Sequence, residues 1–96
     1  MRDIAPKDHK GKPPMDLIPH EALEPIANVM GFGADKYGEE SWRKGGVNTK
    51  LYGAAMRHMI KWKLGEQKDD ESGIHHLAHA CVNLMMIISL EDNDAE

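Results

Sequence analysis

Three polar side chains with ligand chemistry share one face of a predicted helix near the carboxyl end of the chain. His76, His79 and Asn83 follow one another at steps of three and four residues, the spacing that places side chains on one side of a helix. Polar groups on a helix that faces a core need partners, because burial without them costs free energy. A metal ion, a phosphate or a buried hydrogen-bond network would each supply such partners.

A second candidate group is a pair of carboxylates on an earlier predicted helix. Glu21 and Glu24 are three residues apart, so both face the same side of that helix. Oxygen ligands of this kind suit hard cations such as Mg²⁺ or Mn²⁺. The same pair is also typical of a solvated first helical turn, where acidic side chains favour the helix dipole.

Cationic and aromatic side chains lie together on the helix between these two groups. Arg57 and Lys61 are four residues apart, with His58 and Trp62 beside them. Two cations on one face can clamp a phosphate chain, and an aromatic ring can stack on a base. The other interpretation is a solvated basic face with Trp62 in the core.

Helical periodicity dominates the segments that must position these residues. Apolar residues recur at steps of three and four, and this pattern predicts helices near 19–30, 50–64 and 72–90, with Ser72 capping the last. The stretch 31–47 contains five glycines and predicts a long connection. No segment alternates apolar and polar residues as a strand does. The sequence therefore predicts an all-α fold, a small bundle of about three main helices.

Length and composition limit the kinds of protein that this chain represents. Its 96 residues make one domain, and so small a core often needs outside support. Cys81 is the single cysteine, so a bound metal or a homo-oligomer is expected to give that support. Four carboxylates in the last six residues account for the net charge of −4. The rest of the chain then has a net charge near zero and lacks the excess of basic residues that binding to duplex nucleic acid requires.

Three stretches of the chain together resemble one known family. They are GKPPMDLIPHEALEPIANVMGFGADKYGEESWRKG, LYGAAMRHMIKWKLGE and DDESGIHHLAHACVNLMMI. They resemble the phage dATP/dGTP diphosphohydrolase N-terminal family, which is similar in design to the all-α MazG-type nucleotide pyrophosphohydrolases. The resemblance implies a MazG-like fold and hydrolysis of a deoxynucleoside triphosphate to the monophosphate and pyrophosphate, with Mg²⁺ or Mn²⁺ as cofactor.

The resemblance and the helix register together define the predicted site. Glu24, Glu71 and His79 are the predicted catalytic residues. The predicted metal ligands, which are carboxylates and imidazoles, are Glu21, Glu24, Glu71, His76 and His79. The predicted substrate-binding residues, which are cations, rings and one amide, are Lys12, Lys36, Tyr37, Trp42, Arg57, His58, Lys61 and Asn83. We expect the ligands to converge on one polar cavity with Arg57 and Lys61 at its rim, because helices joined by a short turn pack antiparallel.

One departure from the MazG-type pattern concerns the second acidic pair. Those enzymes carry an ExxE pair and a later ExxD pair on facing helices. Here Glu21 and Glu24 supply the first pair, whereas the later position reads His76-Leu-Ala-His79, which holds no acidic residue. The number of metal ions, and catalysis itself, therefore stay open.

Two other functions are compatible with the same residues. A non-catalytic phage protein could use these cations, rings and histidines to sequester a nucleotide signal of host immunity. A helical interaction module could instead use its Met-rich stripe as a subunit interface. We expect a homo-oligomer, such as a dimer or tetramer.

The chain is expected to divide into three regions and to stay out of membranes. Residues 1–14 are predicted to form an extended basic arm, 15–90 a helical nucleotide-binding domain and 91–96 an acidic tail. No apolar stretch has the length of a signal peptide or of a membrane span. We therefore expect a protein of the host-cell cytoplasm that binds nucleotide but neither membrane nor duplex nucleic acid.

Overall fold

Three α-helices make up most of the folded chain. The computed structural model describes residues 11–94. Its helices are α1 (His20–Tyr37), α2 (Asn48–Lys63) and α3 (His76–Asp94). Two short 3₁₀ helices, Met15–Leu17 and Ser41–Lys44, precede α1 and α2. Within the described residues the β structure is limited to one isolated bridge between Lys68 and His75, so the predicted all-α class is confirmed.

The two predicted end regions fall partly outside this range. Residues 1–10 of the predicted arm and residues 95–96 of the predicted tail lie outside the described residues. Lys12, the arm residue expected to bind substrate, is exposed. Helix α3 continues to Asp94 and so includes the first part of the predicted acidic tail.

The first helix is longer than the sequence predicted. It continues through Gly31 and Gly33 and ends only at Gly38, whose φ of 98° is a conformation that glycine adopts without strain. The glycine-rich connection therefore covers 38–47 rather than 31–47. Two interior glycines cost a helix about 1 kcal/mol each, but Val29 and its apolar neighbours pack this helix against α3. Tertiary packing outweighs the local preference.

The third helix begins four residues later than predicted. Ser72 does not cap it but lies in the preceding turn, where its backbone N–H and hydroxyl both donate to Asp69 Oδ2 at 2.9 Å. His75 takes the capping role, since its Nδ1 accepts the backbone N–H of Leu77 at 3.0 Å. An aspartate at the start of a turn competes for the same groups that a helix cap would use. The sequence pattern alone could not decide this competition.

A small apolar core joins α1 to α3. Val29 of α1 packs with Ala78 and Val82 of α3, and all three are buried. The partly buried apolar residues around them are Ile26, Met30, Ile74 and Met86. Helix α2 also packs against α3, and Ala55, which is fully buried, keeps this face of α2 small. Both α1 and α2 are thus packed against α3.

Large apolar side chains remain exposed on the single chain. On α2 and α3 they include Tyr52, Ile60, Met85 and Ile88, and side chains of this kind are typical of interfaces where they form a contiguous patch. The predicted homo-oligomer stays a prediction, which light scattering can check. None of the helices in residues 11–94 has the length and apolar character that crossing a membrane requires.

Candidate functional site

An open cavity lies where the three helices and the 3₁₀ helix before α2 meet. Its volume is about 280 Å³, near the lower end of the range typical of small-molecule sites. Apolar side chains of all three helices form much of its surface, among them Val29, Leu51 and Val82. The side chains in its lining that can stack, ionise or hydrogen bond are Phe32, Lys36, Tyr37, Glu39, Ser41, Trp42, His58, Asp69, Glu71, His79 and Asn83.

One wall of the cavity combines aromatic rings with a cation from α1. Phe32 and Lys36 are four residues apart and therefore lie on one face of the helix. The ammonium nitrogen of Lys36 lies 5.8 Å from the centre of the Phe32 ring and 5.2 Å from that of the Tyr37 ring. Both distances are within the range of cation–π attraction. The wall thus offers apolar surface and positive charge side by side.

Lys36 also connects α1 to the loop that precedes α3. Its Nζ donates to Glu71 Oε2 at 2.6 Å, and this hydrogen bond raises the pKa of Lys36. Both side chains are largely exposed, at 39% and 59%. An ion pair so accessible to water contributes little to stability. Its partners are therefore free to exchange for a charged ligand at small cost.

Trp42 brings a second aromatic surface from the 3₁₀ helix. The guanidinium carbon of Arg43 lies 4.4 Å from the centre of its ring, a stacking distance. Among the described residues, no acceptor lies within hydrogen-bond distance of the buried indole Nε1. A buried donor without a partner costs about 1–3 kcal/mol. The fold therefore leaves the indole N–H of Trp42 without a hydrogen bond.

A chain of hydrogen-bonded imidazoles forms the floor of the cavity. His58 Nδ1 lies 2.9 Å from His76 Nδ1, and His76 Nε2 lies 2.6 Å from Glu66 Oε2. The carboxylate can only accept, so His76 donates from Nε2 and its Nδ1 carries the lone pair when the ring is neutral. His58 then donates to it. His76 is the largest side chain with no exposure at all among the described residues.

His79 extends this network through the turn before α3. Its Nε2 lies 2.6 Å from Ser72 Oγ and 3.8 Å from Asp69 Oδ2. Its ring stacks on that of His58, with centres 4.5 Å apart and planes 10° from parallel. Phe32 meets His79 edge-on at 6.3 Å. The three rings hold one another in fixed orientations.

Burial sets the charge of these groups. Burial first, and then the nearby His79, lowers the pKa of His58 to about 4, and burial likewise lowers the pKa of His79. Burial disfavours ionisation of Asp69, but the two hydrogen bonds from Ser72 outweigh it and leave the pKa of that carboxyl below its usual value. At neutral pH the imidazoles of His58 and His79 are therefore neutral and lie beside an ionised carboxylate.

The loop between α2 and α3 is fixed by its own backbone. Gly65 and Gly73 have φ values of 108° and 73°, which favour glycine. Asp69 N–H donates to Ile74 O at 2.9 Å, and Gly73 N–H donates to Asp69 O at 2.7 Å. His76 N–H donates to Gln67 O at 2.8 Å. These bonds place the Asp69 carboxylate against the histidines.

The structure brings together part of the predicted site and places the rest elsewhere. The predicted residues that line the cavity are Lys36, Tyr37, Trp42, His58, Glu71, His79 and Asn83. His76 lies behind His58 in the floor. Those outside the lining, all exposed, are Lys12, Glu21, Glu24, Arg57 and Lys61. The expected convergence of Glu24 with Glu71 and the histidines is therefore absent from the described residues.

Arg57 lies outside the cavity because of its position on α2. His58 faces α3 and Arg57 is its neighbour, so the two side chains point about 100° apart on the helix. Arg57 lies back along its own helix instead, with a terminal nitrogen 3.3 Å from where a Cβ on Gly53 would be. Arg57 and Lys61 can still share one face of α2, as their spacing predicts, but that face does not line the cavity.

Three site residues escaped the sequence-based prediction. Asp69 and Glu66 come from the loop before α3, and Phe32 comes from the part of α1 that was expected to be a connection. An aspartate, a serine three residues later and then a glycine are typical of a hydrogen-bonded turn. That signal could have identified Asp69 as a fixed carboxylate.

Comparisons with known proteins agree on the family. A model of the family described as dATP/dGTP diphosphohydrolase, N-terminal, matches residues 3–96. A protein named dATP/dGTP diphosphohydrolase from Salmonella phage PMBT28 is 38% identical over 87 residues, which cover 91% of this chain and 30% of that protein. The chain thus spans less than a third of the length of this relative. No solved structure matches the chain. The chain belongs to the dATP/dGTP diphosphohydrolase N-terminal family.

Proposed function

We propose that the cavity binds a purine deoxynucleoside triphosphate and that the chain takes part in its hydrolysis to the monophosphate and pyrophosphate. The observation that carries this proposal is the lining of one cavity by three aromatic rings, a lysine and a cluster of neutral imidazoles beside Asp69. The name of the phage relative supports the substrate class. The proposal places the activity in the part of the relative that this chain matches, which is 30% of its length.

The aromatic wall is the candidate site for the base. Phe32, Tyr37 and Trp42 contribute rings to the cavity, and stacking of a base on an aromatic side chain contributes about 1–3 kcal/mol. The unpartnered Trp42 Nε1 would gain an acceptor if a bound ligand shifted this ring. A purine has more surface to stack than a pyrimidine, so we expect dATP and dGTP to bind more tightly than dCTP and dTTP.

Lys36 is the candidate contact for the phosphate chain. Its ammonium group forms an exposed ion pair with the Glu71 carboxylate. A triphosphate carries more negative charge than one carboxylate, so Lys36 would donate to phosphate oxygens in the complex. Glu71, freed from Lys36, would then face the same ligand. This arrangement favours a ligand that brings a cation of its own.

His79 is the candidate general base. Burial keeps its imidazole neutral, so it can accept a proton from an attacking water. Asp69, 3.8 Å away, would stabilise the imidazolium that forms, and Ser72 holds the ring in position at 2.6 Å. A carboxylate behind a histidine serves the same purpose in other hydrolytic sites.

The residues at the cavity do not fit Mg²⁺, the cofactor that the family resemblance implies. Mg²⁺ prefers oxygen ligands in an octahedron, but Glu21 and Glu24 lie outside the cavity and are exposed. Of the carboxylates in the lining, Glu71 is paired with Lys36 and Asp69 is grouped with imidazoles. The donors grouped at its floor are the imidazoles of His58 and His76 and the carboxylate of Asp69. Imidazole suits softer divalent metals. We therefore assign no step of the reaction to bound Mg²⁺.

The test is a nucleotide panel analysed by chromatography. We expect dATP and dGTP to be converted to the monophosphate and pyrophosphate, and His79→Gln to lower the rate about 100-fold or more, as loss of a general base does. His20→Gln, a change at an exposed histidine of α1, is the matched control and should leave the rate unchanged. Each reaction is run with Mg²⁺, Mn²⁺, Zn²⁺ or Co²⁺ and without metal.

Two outcomes would contradict the proposal. Tight binding of a nucleotide without any cleavage would favour the sequestering function instead. Absence of both binding and cleavage for all four nucleotides would show that the cavity is not a nucleotide site.

A further inference from the structure

Two imidazoles and one carboxylate meet at the floor of the cavity. One ligand atom from each of His58, Asp69 and His76 lies within 4.8 Å of the other two. We propose that these three residues bind one divalent transition-metal ion of the zinc, cobalt and nickel class. This site differs from the predicted metal set, which contained neither His58 nor Asp69 among its ligands.

The spacing of the two imidazoles suits a shared metal. Their Nδ1 atoms are 2.9 Å apart. Ligands at about 2.0–2.1 Å from a metal and about 90–110° apart are separated by about 2.9–3.4 Å. His58 would change tautomer: its one ring proton would move from Nδ1 to Nε2, and the freed Nδ1 lone pair would face the metal together with that of His76. The three ligand atoms lie within 4.8 Å of one another, so rotation of the rings and of the carboxylate would bring their lone pairs onto one ion.

The chemistry of the donors selects the class of metal. Two histidines and one carboxylate form a ligand set known from catalytic zinc sites and from non-haem iron sites, both of which keep positions open for water or substrate. His58 and Asp69 line the cavity, whereas His76 is fully buried behind them. The open positions of the metal would therefore face the cavity.

Neighbouring groups already orient the ligands as metal sites require. Glu66 Oε2 accepts the Nε2 proton of His76 at 2.6 Å, which leaves Nδ1 of that ring as the ligand atom. A carboxylate behind a ligating histidine is the common arrangement at metal centres. His79 stacks on His58, and Ser72 fixes Asp69 through two hydrogen bonds. Each of the three ligands thus has a partner that holds it.

The charge of the cluster also calls for a cation. Among the described residues, the only basic groups at ion-pair distance from Glu66 and Asp69 are His76 and His79. The Asp69 side chain is only 17% exposed, against 42% for Glu66, and a largely buried charge needs a counter-charge or a metal.

The experiment measures metal binding without any nucleotide, so its result is separate from the fate of the proposed function. Untagged wild-type protein is stripped with a chelator and titrated with Zn²⁺, Co²⁺ or Mg²⁺ by calorimetry, and bound Co²⁺ is followed by its visible absorption. We expect one Zn²⁺ or Co²⁺ per chain and no displacement of Co²⁺ by millimolar Mg²⁺. Cleavage without such binding would sustain the proposed function and overturn this site.

Variants locate the site. Asp69→Asn and His58→Ala should lower Co²⁺ affinity by more than the about 10- to 100-fold that is typical of losing an outer partner, whereas Glu66→Gln should fall within that range. His20→Ala, at an exposed histidine, should bind Co²⁺ as the wild type does. Helix content in metal-free buffer is measured by circular dichroism. If His58→Ala loses helix content, the Co²⁺ affinities of the more conservative variants Asp69→Asn and Glu66→Gln test the site instead.

Three results would overturn the inference. The first is that the wild type binds neither Zn²⁺ nor Co²⁺ at a ratio of one per chain. The second is that Asp69→Asn binds Co²⁺ as tightly as the wild type. The third is that His20→Ala loses as much affinity as Asp69→Asn.

Discussion

Replacing Lys36 by methionine is expected to lower nucleotide affinity about 10- to 150-fold. Lys36 is the one lysine or arginine in the lining of the cavity among the described residues, and a hydrogen bond to a charged group contributes about 1.5–3 kcal/mol. Methionine keeps most of the apolar stem and removes the charge. The measurement is calorimetric titration with dGTP under conditions where cleavage is blocked by His79→Gln in both proteins.

The control for this change is a lysine away from the cavity. Lys50 is exposed near the start of α2, and Lys50→Met removes the same charge from the molecule without touching the site. Arg57→Ala is a second comparison, because the sequence pattern placed Arg57 at the rim and the structure places it outside. It should lose less affinity than Lys36→Met. Equal affinity of Lys36→Met and Lys50→Met would mean that the phosphates lie elsewhere.

Replacing His76 by alanine is expected to destabilise the fold by about 3 kcal/mol. The side chain is completely buried and bonds to both His58 and Glu66. Its removal leaves a cavity and two partners without their hydrogen bonds, and each of these effects costs about 1–3 kcal/mol. For a domain of this size the melting temperature should fall by about 12–24 °C.

The measurement is chemical unfolding in metal-free buffer, so that loss of a bound ion does not add to the effect. His20→Ala is the matched control, since this histidine is exposed, and surface changes usually stay within about 0.5 kcal/mol. If His76→Ala unfolds at the same denaturant concentration as the wild type, the imidazole network does not support the fold as the structure implies.

Helical periodicity was sufficient to predict most of the architecture. The apolar stripes of α2 and α3 identified both helices, and the register of α3 put His79 and Asn83 on one face, where both line the cavity. Local signals failed where tertiary packing decides. Gly31 and Gly33 look like a connection, but Val29 and Phe32 anchor that turn of α1 to α3.

The remaining parts of the site depend on contacts between distant segments. Glu21 and Glu24 share a face as their spacing predicted, yet nothing in that spacing tells which way the face points, and the structure leaves both exposed. Asp69 and Glu66 reach the histidines only because the loop before α3 folds back on itself through its bridge at Lys68. The local sequence pattern of this loop does not predict that it folds back in this way.

The central claim, that nucleotide binds in this cavity, has a direct optical test. The chain holds two tryptophans, Trp42 in the lining of the cavity and Trp62 exposed on α2. Trp62→Phe leaves Trp42 as the only tryptophan, and Trp42→Phe leaves Trp62. Each variant is titrated with dGTP while the indole emission is recorded.

Stacking of the base is expected to quench the emission of Trp42 in a saturable way, with a midpoint equal to the calorimetric dissociation constant. The emission of Trp62 should stay constant over the same range. If dGTP binds by calorimetry while Trp42 emission stays constant and Trp62 emission changes, the nucleotide binds on the exposed face of α2 and not in the cavity.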